Sequence, residues 1–158
     1  MFGEQMLLGS ILVILSVILH VMALVTLARI LARIAQRELF QPGTHSTVII
    51  LAAVVLGIVG IHTVEAWVWA SVYLLLGEFD DLSQALYFSV VTSTTLGYGD
   101  LILSSRWQLL GTFEAMGGLI LFGTSTAFLI SCMRRMLEPL LPGNSAAAQG
   151  AMKRRATD

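Results

Sequence analysis

Three apolar runs constrain this chain more than anything else in it: Met6 to Ala28, Thr47 to Leu76 and Leu109 to Met133. A bilayer hydrocarbon core about 30 Å thick needs roughly 20 apolar residues of helix, and each run meets that length. The second exceeds it, so it must tilt or project beyond the hydrocarbon. Composition agrees, with 56% hydrophobic and 12% charged residues in 158, where soluble domains carry about 25% charged. The expected class is an all-α integral membrane protein with three transmembrane helices. No nucleophile–base or metal-ligand spacing of an enzyme is present, and nothing implies a nucleic-acid partner.

The first run lacks a basic leader, Glu4 being its only early charge, and Arg29 follows it directly. It also exceeds the apolar core of a cleaved signal, so a retained helix is expected. The single cysteine, Cys132, cannot form an intrachain disulfide and is expected reduced near a helix end. Of the nine basic residues, Arg29, Arg33 and Arg37 follow the first run; Arg134, Arg135, Lys153, Arg154 and Arg155 follow the third. The positive-inside rule then places the 29–46 segment and the C-terminus in the cytoplasm of a cell membrane, and the N-terminus and 77–107 outside.

Arginines at every fourth position lie on one side of a continuing helix. They read as an anchor on anionic headgroups rather than as a voltage sensor, whose arginines fall at every third position. Pro42-Gly43 ends that helix. Trp67, Trp69 and Tyr73 are expected in an aromatic belt at the outer interface. Residues 134–158 lack apolar periodicity and read as a disordered tail, too short for a folded sensing domain, with Lys153 to Arg155 either solvated or touching lipid.

Between the second and third runs the chain leaves the bilayer and returns to the same side. Asp81 with Gln84 reads as a capping box that starts a short helix near Leu82. That helix ends near Ser93 or Thr94, too soon to span, so it is expected to be re-entrant. The loop "TSTTLGYGDL" follows it. Non-helical backbone at membrane depth survives only when buried in protein or lining a wet cavity. A dehydrated monovalent cation would satisfy such carbonyls, as they replace its hydration shell. Aligned carbonyls need a backbone of alternating handedness, which Gly97 and Gly99 tolerate. Thr95 can add a hydroxyl, and the helix C-terminus favours a cation. Glu78, Asp80, Asp81 and Asp100 would concentrate cations outside.

Thr95-Leu96-Gly97-Tyr98-Gly99-Asp100 resembles the selectivity-filter signature of potassium channels, T-V-G-Y-G-D. With its short helix and two flanking spans, residues 47–133 resemble the pore domain of small prokaryotic channels. Residues 1–46 add an N-terminal helix and basic linker. The resemblance implies a homotetramer conducting K⁺ passively, with no organic cofactor. It assigns ion binding to the carbonyls of Thr95, Leu96, Gly97 and Tyr98 and to the Thr95 hydroxyl, with Gly99 completing the strand. Leu96 stands where valine is usual. Thr94, Asp100, Tyr87, Phe88 and Val91 become filter support: Tyr87 and Phe88 occupy positions that brace the filter tyrosine. Val91 replaces a glutamate that bonds the acid after the filter in some relatives. A weakly selective cation channel of the same build, and a non-conducting sensor or partner subunit, remain as alternatives.

Gly117, Gly118 and Gly123 offer either a gating hinge or close helix packing. His62 and Glu65 share one face of the second helix, and Glu114 lies in the outer half of the third. A carboxylate in a span costs about 2.5–3.5 kcal/mol on insertion scales and so needs a partner or a proton. Either these acids fix packing, or protonation of Glu114, coupled to His62 or Glu65, adjusts conduction with pH. His20 reads as a polar side chain bonded within its helix or to a neighbour, rather than as a metal ligand.

Overall fold

A computed structural model of the protein describes residues 2–35 and 44–137. Four helices follow in order: α1 (Phe2–Ala35), α2 (Thr44–Leu75), α3 (Leu82–Ser93) and α4 (Gln108–Leu137). Three of them are long and apolar enough to cross a membrane. At 1.5 Å per residue α2 is about 48 Å long, beyond a hydrocarbon core, whereas α3 at about 18 Å cannot span one. The expected short helix is therefore present, with the start and end read from the sequence. Arg37, Pro42-Gly43 and residues 138–158 lie outside the described residues, while 134–137, expected in a disordered tail, continue α4 to its last turn instead.

The long helices are polar inside and apolar outside. Along α1 the buried positions include Gln5, Leu12, Ser16, His20 and Leu24, all on one face at steps of four or seven. Leu7, Ile11, Ile14, Ile18 and Met22 are exposed around the rest of the surface. Lipid is as apolar as leucine, so helix association rests on packing and interhelical hydrogen bonds. Each buried polar group on α1 supplies one. Gln5 Oε1 accepts from the Leu109 amide at 3.0 Å, satisfying an orphan donor in the first turn of α4. Ser16 Oγ accepts from Trp69 Nε1 at 3.1 Å. His20 is bonded to both α2 and α4. Among the described residues, no buried side-chain polar atom lacks a partner.

The apolar core gathers around α3. Tyr73 meets Phe88 edge-on at 5.2 Å between ring centroids, and Phe79 edge-on at 6.3 Å. Ala85, Leu103, Trp107 and Leu110 close the same cluster. This corrects the aromatic-belt expectation for two of its three residues. Trp69 and Tyr73 are 4% and 0% exposed, and only Trp67 faces outward. Their polar tips find side-chain partners inside the protein, so they have no need of the wet interface that usually attracts them.

Asp81 caps α3 by accepting from the Ser83 amide at 3.1 Å, one residue earlier than a bond to Gln84 would fall. At the other end, α3 is pressed against α4. A Cβ built on Gly118 would lie 2.3 Å from the carbonyl oxygen of Ser93, while one on Gly123 meets nothing within 4 Å. Gly117 approaches only Val13, at 3.5 Å. For Gly118 the packing reading is thus the one with a visible cause. Gly118→Ala should lower the thermal midpoint of the purified protein and its yield as a folded particle, consistent with an overpacking cost of about 1–3 kcal/mol or more. Gly123→Ala should leave both near wild type, as size-exclusion chromatography and thermal unfolding in detergent would measure.

Candidate functional site

The loop after α3 is organised by one carbonyl. Val91 O accepts from the Leu96 amide at 3.0 Å and from the Gly97 amide at 3.2 Å, folding the chain back on the helix end. Across a trans peptide the N–H and C=O point in opposite directions, and the described residues contain no cis bond. The carbonyls paired with those two amides, of Thr95 and Leu96, therefore point away from α3. Among the described residues, no hydrogen bond reaches the carbonyls of Thr95, Leu96, Gly97 or Tyr98. Residues 95–100 are all exposed, and Leu101 beyond them is half-buried.

Backbone handedness alternates along this strand. Thr95, Gly97 and Gly99 have φ of 59°, 56° and 77°, while Leu96 and Tyr98 between them do not. The two glycines were legible for this role in sequence. Thr95 was not: it is the one non-glycine residue with positive φ among those described. A β-branched residue there is a genuine outlier, and such strain gathers at functional sites.

The supporting residues divide differently from expectation. Within the chain the Tyr87 hydroxyl donates to Asp100 Oδ2 at 2.8 Å. That bond, with the carboxylate as acceptor, holds the Tyr87 phenol above its ordinary pKa. The acid after the strand is thus held from α3 by a phenol, from a position other than Val91. Phe88 is buried against Tyr73 and Phe79 rather than against Tyr98, and Tyr98 is 68% exposed. Thr94 turns its hydroxyl back to Val90 O at 2.7 Å, closing the end of α3. Glu78 accepts from the Ser104 amide and hydroxyl at 2.6 and 2.7 Å, tying the exit of the loop to its entrance.

Behind α3 stands Glu114, 1% exposed. Its carboxylate accepts from the Tyr73 hydroxyl of α2 at 2.6 Å and from the Ser89 hydroxyl of α3. One side chain of α4 therefore joins both neighbouring helices at the back of the loop. The expected coupling of Glu114 to His62 or Glu65 is not a direct contact. Those two belong to a separate closed ring. Glu65 Oε1 bonds His20 Nδ1 at 2.9 Å and Glu65 Oε2 bonds His62 Nδ1 at 3.0 Å. Both Nε2 atoms meet Ser125 Oγ at 3.1 Å. His20 and Ser125 were missed as partners because they come from α1 and α4, 45 and 60 residues from Glu65 on either side, and only packing brings them together.

Residues 47–135 match the profile of a family described as Ion channel, more than half of the chain. The chain belongs to the ion channel family. No curated protein and no solved structure matches it. The matched region of this ion channel begins at the start of α2 and ends within the last turns of α4, enclosing the short helix and its loop. Three apolar helices of spanning length make it a membrane protein.

Removing the Glu114 carboxylate should orphan two buried hydroxyls. Glu114→Ala is expected to destabilise the folded channel by several kcal/mol, at about 1–3 kcal/mol per unsatisfied group. Glu114→Gln can accept from one hydroxyl and donate to the other, so it should cost far less. Chemical or thermal unfolding of the two variants beside wild type would measure the gap.

Proposed function

We propose that this ion channel is potassium-selective and homotetrameric, with four copies of residues 95–99 ringed about one axis. The observation carrying the reading is the strand itself: φ alternates in sign from Thr95 to Gly99, and the chain's own amides are drawn back to Val91 O. The carbonyls of Thr95, Leu96, Gly97 and Tyr98, with the Thr95 hydroxyl, would replace the hydration shell of K⁺. One chain provides one such strand, and a surrounding cage needs several. The C-terminal end of α3 adds its partial negative charge next to the innermost site. Only the carbonyl of Leu96 would touch an ion, so its side chain leaves this chemistry intact.

K⁺ is the permeant ion, moved passively and with no organic cofactor. In the cell membrane the N-terminus would face outward and the C-terminus the cytoplasm. Arg29 and Arg33, both exposed and four residues apart on the last turns of α1, would hold anionic headgroups. Glu78, Asp80, Asp81 and Asp100 would raise the cation concentration at the outer mouth.

Purified protein in liposomes should pass K⁺ under a K⁺ gradient and pass Na⁺ far more slowly. Thr95→Ser, which keeps the hydroxyl, should retain that preference, and Thr95→Ala should lose most of it. Equal K⁺ and Na⁺ flux in wild type would instead favour the weakly selective channel. Absence of flux in a well-folded particle would favour a non-conducting subunit. Native mass spectrometry should give four chains per particle.

A further inference from the structure

His20, His62 and Glu65 place two imidazole nitrogens and a carboxylate within 4.8 Å of one another. They are held by α1 and α2 at a distance in sequence from the filter, and their bonds to one another leave the conduction strand untouched. We propose that these three side chains form a binding site for a transition-metal cation of the zinc type, with a water as fourth ligand. The proposal does not depend on which cation the pore selects.

The donor set comes first. Two neutral imidazoles and a carboxylate are an established zinc combination, completed by water in a tetrahedral site. Hard cations such as magnesium prefer oxygen donors alone. Two of the three ligand separations are close to what zinc needs, and the third, within 4.8 Å, would close on binding. Bonds of about 2.0–2.2 Å in a tetrahedron set ligand atoms about 3.4 Å apart. The Nδ1-to-carboxylate separations are 2.9 and 3.0 Å. A metal taking the place of the shared protons would open each by a few tenths of an ångström, within side-chain adjustment.

The remaining ring atoms suit the metal-bound state. A ligating histidine usually donates its other N–H to an oxygen that fixes its orientation. Ser125 Oγ stands 3.1 Å from both Nε2 atoms, and a hydroxyl oxygen has two lone pairs to accept both. Its own hydrogen would turn to a carbonyl one helical turn back, as serines within helices do. Proton bookkeeping closes. The four-link hydrogen-bonded ring holds four protons and no net charge. The zinc form holds three, one on each Nε2 and one on Ser125, so one proton leaves as the metal enters.

Room for the fourth ligand is present. A cavity of about 20 Å³, lined by two of the three ligands, His62 and Glu65, together with Ser16, Trp69 and Glu114, adjoins the cluster, and that volume holds about one water. Phe122 stacks on the far face of His62, with 4.1 Å between ring centroids and 19° between planes, fixing the ring's direction.

Equilibrium dialysis of the full chain in detergent against micromolar Zn²⁺, followed by elemental analysis, should give one zinc per chain. Zinc-edge X-ray absorption should show nitrogen and oxygen neighbours at about 2.0–2.1 Å and no sulfur. His20→Gln and Glu65→Gln should each abolish or strongly weaken retention. Ser125→Ala, which keeps all three ligands, should weaken it about tenfold. Cys132→Ser should change nothing, and millimolar Mg²⁺ should not displace the zinc. A wild-type protein that retains no zinc overturns the proposal, as does sulfur in the absorption spectrum or undiminished binding in both glutamine variants. Should the glutamine variants fail to fold, wild-type stoichiometry and spectrum, with the Ser125→Ala shift, still decide it.

Discussion

The Glu114 carboxylate is the interaction on which α3 and the loop after it depend. A charge-capable group with 1% exposure in a membrane-spanning helix is tolerable only when its oxygens are bonded, and here each has a hydroxyl donor. The consequence is positional. Tyr73 is fixed to α4, Ser89 fixes α3 to the same point, and Phe88, one residue before Ser89, is driven into the aromatic cluster against Tyr73. The helix that carries Val91 is thereby registered against both spans. Since Val91 O collects the amides of Leu96 and Gly97, the direction of the loop's carbonyls follows from a carboxylate that never touches the loop.

A second polar system does for α1 what Glu114 does for α3. With Leu, Ile and Val covering its outward surface, α1 has no hydrophobic reason to prefer α2 and α4 over lipid. Gln5, Ser16 and His20 give it three separate ones, spaced along its length. The two systems share the wall of one water-sized cavity without sharing a hydrogen bond. Two independent clamps of this kind divide the labour: one sets the short helix, the other attaches a helix outside the region matched to the family.

How much of this could be read from sequence depends on whether the signal is local. The spans were legible from apolar length, and α3 from Asp81 and the return of the chain to one side. Gly97 and Gly99 were legible because positive φ is a property of the residue alone. Thr95 was not, because its strained backbone is imposed by the bonds of its neighbours to Val91. Trp69 and Tyr73 were misplaced at the interface because a residue type was read where a partner decides: Ser16 and Glu114 draw them inward. The ring shows the same limit. His62 and Glu65 declare themselves as i,i+3 neighbours, but His20 and Ser125 join them only through helix packing, which no local pattern encodes.

The loop is finished on one side and open on the other. The amides of Leu96 and Gly97 are drawn to Val91 O, Asp100 is held by Tyr87, and the loop's exit is fastened by Glu78. The carbonyls of 95–98 receive no hydrogen bond among the described residues. At the membrane depth expected of this loop, such oxygens would need protein or a water-filled path to serve them. Leu82 and Val90 on α3, and Met116, Leu119 and Ile120 on α4, present apolar surface as well. A single chain thus leaves polar oxygens and greasy helix faces uncovered together, and a symmetric ring answers both needs at once. In the proposed assembly the apolar faces would pack against the next copy, and the oxygens would turn toward a shared axis where a cation would replace the missing donors. Neither requirement alone would argue for a ring, since lipid can cover the faces and a local turn could cap the carbonyls. Their combination on one short segment, with its amides already committed behind it, is what the proposed assembly explains.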